Sequence, residues 1–134
     1  MIKRHRLVVV AGVIRRNGHI LIGQRQKGDS HELKWEFPGG KVEHGESASD
    51  ALQRELEEEL CIQAHIGPEL IRYDYDYPKR TPILLIFHSV TEFNGEPRGA
   101  AFEQIRWETR ERLPDYDFLD GDIDFVRRIA NGEF

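Results

Sequence analysis

The sequence predicts a mixed α/β (α+β) fold, a small sheet with two helices, on three observations. Two apolar, β-rich runs flank Arg15-Arg16-Asn17-Gly18, residues 47–60 hold helix formers with neither Gly nor Pro, and a second helical run ends at Asn131-Gly132. Asn-Gly accepts the positive φ angles of a tight turn, so residues 7–14 and 19–24 read as a β-hairpin. Polar residues 27–32 form a loop, 35–37 a short strand, and Pro38-Gly39-Gly40 stops that strand. The helix over 47–60 starts at a cap, Ser47 or Ser49. Further strands are expected at 69–77, 83–93 and 102–107, with Asn94-Gly95 turning between the last two, and a final helix from about 122 to 130. No repeat, linker or low-complexity stretch interrupts the chain, and 134 residues fit one domain, 1–134.

Hydrophobic residues make up 39% and charged residues 32%, a balance that argues against disorder and against a fibrous chain. The formal net charge is −5. Such a chain lacks the broad basic face of a nucleic-acid binder, so no nucleic-acid polymer is expected as a partner. For a phosphate compound, a bound cation must supply much of the missing positive charge. A lone cysteine, Cys61, rules out an intrachain disulfide and fits a reducing compartment. The start, basic and then apolar over 7–14, superficially resembles a leader. The apolar run is short, however, and two arginines follow it in place of a cleavage site. No stretch approaches the roughly 20 apolar residues of a membrane helix. The cytoplasm is the expected location, and no membrane partner is expected.

Chemistry concentrates in the segment 47–60. On a wheel of about 100° per residue, Ala48, Ala51 and Leu52 share a stripe that should face the protein, while Asp50, Gln53 and Glu57 face away. Glu55, Glu58 and Glu59 fall on the inward stripe. Glu55 meets Glu58 at i,i+3 and Glu59 at i,i+4, and each like-charge pair costs an exposed helix roughly 0.2–0.5 kcal/mol. Burial adds to that cost. Either this is an ordinary acidic helix with a few alanines, or a cation occupies the space between the acids. Clustered carboxylates select hard cations, with magnesium or manganese first. Zinc fits poorly, because the six histidines are scattered and there is one cysteine. Gly39-Gly40, ahead of the acid helix, lets backbone approach a ligand or present a carbonyl.

The stretch 40–62, GKVEHGESASDALQRELEEELCI, resembles the Nudix box, G-x5-E-x7-R-E-U-x-E-E-x-G-U with U apolar. Gly40, Glu46, Arg54, Glu55, Leu56, Glu58, Glu59 and Ile62 fall in register, eight of nine defined positions. Cys61, where the family has glycine, is the departure. The resemblance implies a Nudix fold, a mixed β-sheet sandwiched between helices, and hydrolysis of a nucleoside diphosphate linked to another group. It implies that Glu55, Glu58, Glu59 and the Gly39 carbonyl hold Mg2+, with Mn2+ as a substitute. Arg54 orients those carboxylates, Glu46 supports the network, and Glu55 is a candidate general base.

The flanks, WEFPGGK and the total length, look like the small MutT-type branch, which converts nucleoside triphosphates to monophosphates and pyrophosphate. By that likeness Phe37, Gly40 and Lys41 join the substrate site, and Arg25 lies near the nucleotide. Asp122 takes the base-reading position, or Asp120 if the alignment slips by two residues. For Asp122 the competing reading is a plain helix N-cap. Glu103 is either a further metal or base glutamate or an ordinary exposed strand residue. Tyr73, Tyr75 and Tyr77 alternate along a strand, either to stack on a base or as half-buried sheet residues. An apparent calcium loop over 115–124 fails, since Val126 stands where its twelfth-position glutamate is required. Alternatives to the triphosphate are dinucleoside polyphosphates, nucleotide sugars or capped RNA. A non-catalytic nucleotide sensor is a further alternative. Monomer and homodimer are both compatible with the chain.

Overall fold

The computed structural model describes residues 6–134. The basic start of the leader-like segment, residues 1–5, lies outside the described residues. The hairpin forms as expected from β1 (Leu7–Arg16) and β2 (His19–Gln24). Asn17 (φ 52°) and Gly18 (φ 77°) hold the turn, both with positive φ, as a two-residue hairpin turn of matching twist requires.

Beyond that turn the two strands diverge into different neighbourhoods. β2 pairs antiparallel with β3 (Trp35–Glu36) and with β9 (Gln104–Glu108). β1 pairs antiparallel with β4 (Gly39–Lys41) and parallel with β7 (Ile83–Val90), in register from Leu7↔Ile83 to Ile14↔Val90. β6 (Glu69–Tyr75) closes the far edge, antiparallel to β7. The continuous apolar sequences of β1 and β7 are what a strand covered on both faces should carry. Val10, Ile14, Leu84 and Ile86 pack on one face with α1 (Ala48–Leu60). Ala11, Val13, Leu85 and Phe87 pack on the other with α2 (Ile123–Ala130). The mixed sheet is therefore sandwiched between helices.

Ser47 caps α1, its Oγ accepting from the Asp50 N–H at 3.1 Å. Leu52, Leu56 and Leu60 are fully buried, and each contributes about 1.5–3 kcal/mol on burial. That far exceeds the repulsion among the acids, so the helix stays docked.

Four features differ from the sequence expectation. β3 stops before Pro38 as expected, but the two glycines are themselves strand: Gly39–Lys41 forms β4, and a Cβ on Gly39 would lie 2.0 Å from the Val10 carbonyl oxygen. Glycine is needed there for strand approach as much as for any ligand. The expected strand 83–93 divides at Thr91, and β8 (Glu92–Asn94) pairs with the short β5 (Gln63–His65). β9 joins β2 instead of forming a hairpin with β8, because Phe102 packs over Gly23, where a Cβ would meet its ring at 2.6 Å. Two 3-10 turns, Arg110–Asp115 and Asp120–Asp122, lead into α2. Among the described residues no helix is long and apolar enough to cross a membrane.

Candidate active site

Arg54, on the second turn of α1, organises the acids. Its Nε and Nη2 donate to the two oxygens of Glu46 at 2.8 and 2.9 Å, and Nη1 donates to Glu55 at 3.0 Å. Nη1 also lies 3.5 Å from Glu58, and Nη2 donates to the Lys41 carbonyl at 3.2 Å. One planar guanidinium thus fixes the loop before the helix and two box glutamates together. Glu46 also accepts from the Glu43 N–H at 2.9 Å. The Arg54 contact, with that backbone hydrogen bond second, lowers the Glu46 carboxyl to about 2.

Glu55 and Glu59 turn toward the sheet. A Cβ on Gly40 would sit 2.4 Å from the Glu55 carboxyl carbon, so only glycine leaves this carboxylate its place. Glu59 accepts from the Gly39 N–H at 3.0 Å. Burial, then the charges of Glu36 and Glu55, pushes the Glu59 carboxyl up to about 8. Burial also raises Glu55, against the pull of Arg54. Glu58 is different: its side chain is 59% exposed. The wheel placed all three acids inward, but Leu56 and Leu60 take the centre of the buried arc and leave Glu58 on its margin.

Among the described residues no three acidic, histidine or cysteine side chains already converge around one point. Glu55 is drawn to Arg54, Glu59 to Gly39, and Glu58 to solvent. The donor set nonetheless suits a hard divalent cation. It consists of oxygens alone, two of its carboxylates are half-buried, and burial with the neighbouring acids disfavours the Glu59 charge, a cost a cation would offset.

Against this edge lies a cleft of about 580 Å³, a size that suits a nucleotide. Gly39, Gly40, Lys41 and Glu59 line its acidic end, and Asp122 lies in the same lining. Asp122 is 6% exposed and makes no side-chain hydrogen bond to cap α2, so the plain N-cap reading fails. Burial, with the Glu36 charge second, raises its carboxyl well above the usual range. Asp120 is exposed and outside the lining.

Three other expected residues have altered parts. Arg25 lines the cleft, but its guanidinium donates to Ser30 and Glu36, pinning the loop it starts. Phe37 is 3% exposed and stacks on Phe118 at 5.3 Å, so its ring belongs mainly to the core. Glu103 is exposed and absent from the lining; its register before β9 follows from the β2 pairing, where its N–H donates to Gln24.

Sequence reasoning missed Glu36 and His31 in the lining, where Tyr77, one of the three tyrosines considered for base stacking, also stands. For Glu36 a signal existed, since Trp35 and Phe37 flank it as buried neighbours on a strand and leave it the opposite face. For His31 no local pattern marks the position.

The NUDIX domain family matches residues 3–129. An 8-oxo-dGTP diphosphatase of Haemophilus influenzae is 36% identical over 92% of this chain and 90% of its own length. A CTP pyrophosphohydrolase of Escherichia coli is 36% identical over 86% and 84%. Among solved structures, the E. coli ORF135 protein superposes with a TM-score of 0.85 at 33% identity, covering 96% of this chain and 91% of that one. A MutT structure from a study of the Aliivibrio salmonicida and Vibrio cholerae proteins gives 0.81 at 32% identity, covering 95% and 98%. With a family match along nearly the whole chain and the box acids gathered about Arg54, this protein belongs to the Nudix hydrolases.

Proposed function

We propose that this Nudix enzyme, acting as one domain over 1–134 with its box at 40–62, hydrolyses nucleoside triphosphates to monophosphate and pyrophosphate with Mg2+. One observation carries the reading: Glu59 of the box, beside Gly39, Gly40 and Lys41, shares the lining of a single nucleotide-sized cleft with the buried Asp122.

Glu55, Glu58, Glu59 and the Gly39 carbonyl would hold the metal, with Mn2+ as a substitute. It would supply the positive charge that phosphate oxygens require and make a nearby water easier to deprotonate. The chain's own residues do the rest. Arg54 keeps Glu46 and Glu55 in place, and Glu55, half-buried with a raised pKa, is suited to accept a proton from the attacking water. Gly40 and Lys41 carry the backbone past the phosphates, while Asp122 meets the base edge. Glu103, in the loop before β9, is the candidate for a further ligand. A sensor without catalysis would be expected to lack box carboxylates, and all are present. The relatives' activities, on 8-oxo-dGTP and on CTP, support a triphosphate substrate.

The test is kcat/KM across canonical nucleoside triphosphates, CTP and 8-oxo-dGTP among the panel, beside ADP-ribose and diadenosine polyphosphates. The proposal expects at least one triphosphate to exceed every other class by about tenfold or more. Faster turnover of ADP-ribose or a dinucleoside polyphosphate overturns it.

A further inference from the structure

Gly121, immediately before the cleft-facing Asp122, is held at both of its polar groups by tyrosines of a distant segment. The Tyr73 hydroxyl donates to the Gly121 carbonyl at 2.6 Å, and the Gly121 N–H donates to the Tyr77 oxygen at 2.8 Å. Both rings are themselves fixed. Tyr73 stacks on Phe87, with centroids 5.9 Å apart. Tyr77 meets Tyr75 at 4.7 Å and His31 at 5.1 Å. The fit allows no side chain at position 121: a Cβ there would lie 2.8 Å from the Tyr77 oxygen and 3.3 Å from Leu85 and Tyr75.

We infer that Tyr73 and Tyr77 are positioning residues for base selection, clamping the Gly121 peptide so that Asp122 faces the cleft at a fixed place. The inference rests on the proposed reading of Asp122 as the base contact. The carboxyl makes no hydrogen bond that caps α2. It accepts from the Phe37 backbone N–H, and the hydroxyl clamp fixes the peptide that carries it. Tyr73 fixes the peptide plane that joins Gly121 to Asp122, and Tyr77 fixes the plane before it. Tyr77 also lines the cleft and touches His31 in the loop opposite, so the clamp ties two walls of the site to the base-facing turn. A hydrogen-bonding carboxylate discriminates between bases only while its position is held, because a mobile acceptor adapts to the wrong edge.

The experiment measures kcat and KM for ATP, GTP, CTP and UTP with saturating Mg2+, together with Tm. The enzymes are wild type, Tyr73→Phe, Tyr77→Phe, the double variant, Gly121→Ala and Asp122→Asn. Phenylalanine keeps the packed rings and deletes only the hydroxyls. The clamp predicts that the ratio of kcat/KM between the preferred base and the others falls about threefold in each single variant and about tenfold in the double. The change is expected as a rise in KM of the preferred substrate more than as a loss of its kcat. Gly121→Ala, which forces the same parts apart by a different route, should compress the ratio as well. A lower Tm with an unchanged ratio in the double variant, while Asp122→Asn changes the ranking, overturns the clamp and leaves the base reading standing. An unchanged ranking in Asp122→Asn overturns the base reading, and the clamp with it.

Discussion

The Glu55 carboxylate occupies the space a side chain on Gly40 would need: a Cβ built there falls 2.4 Å from its carboxyl carbon and 2.6 Å from each oxygen. The glycine that opens the box is thus a geometric condition on the acid fifteen residues later.

Gly40→Ala should therefore act on catalysis more than on folding. The obstructed group is the far end of a flexible side chain, so Glu55 swings aside and the strand remains. We expect kcat to fall on the order of 100-fold, as for an atomic misplacement of about 1 Å. Steady-state kinetics with thermal melts check this, and near wild-type turnover would show that Glu55 need not stay where the structure has it.

Glu58→Gln separates metal binding from stability. Glu58 is 59% exposed and only 3.5 Å from Arg54, so its removal should leave the melting temperature unchanged or slightly higher as acid repulsion is relieved. Turnover should drop by orders of magnitude. More than about a tenth of wild-type activity would remove Glu58 from the metal set.

Cys61 ends α1 in the left-handed region at φ 60° and ψ 32°, exposed, with its N–H donating to the Glu57 carbonyl. A non-glycine residue there costs about 1 kcal/mol. Cys61→Gly should raise stability by up to that amount in denaturant melts and preserve activity. A clear loss of stability would mean that the side chain contributes packing the exposed position does not suggest.

Glu59 gives a pH dependence whose sign follows from its raised pKa. Its carboxyl moves from an ordinary value of 4.5 to about 8 in the folded, metal-free chain. Between those limits the folded state binds more protons than the unfolded state. Its contribution to stability is therefore complete below pH 4.5 and is lost as pH rises to about 8. In chelator, Tm of the wild type should decline across this window more steeply than that of Glu59→Gln. Parallel curves would show that Glu59 ionises without cost in the fold.

Legibility in the sequence followed the range of the interaction. The first hairpin was readable because Asn17 and Gly18 sit within the turn they shape, and α1 because its cap, Ser47, and its leucines lie in one segment. β4 was hidden, since Gly39 and Gly40 show no side-chain alternation and their pairing with β1 is set by close approach across the fold. The exposure of Glu58 depended on which leucines dominate the helix face, a choice the two alanines obscured. The tyrosine clamp joins residues 48 and 44 positions apart, and alternation along the strand showed where the rings stand but not what their hydroxyls reach. Asp122 was placed by resemblance, and its burial in the cleft lining distinguishes it from the exposed Asp120.

The activity is defined by the bond that breaks. Product identification by 31P NMR, with a purine and a pyrimidine nucleoside triphosphate in Mg2+ and again in excess chelator, reads that bond. Cleavage between the α- and β-phosphates gives equimolar nucleoside monophosphate and pyrophosphate in Mg2+, with no turnover in chelator. Inorganic phosphate with nucleoside diphosphate, or turnover that persists without divalent metal, would contradict it.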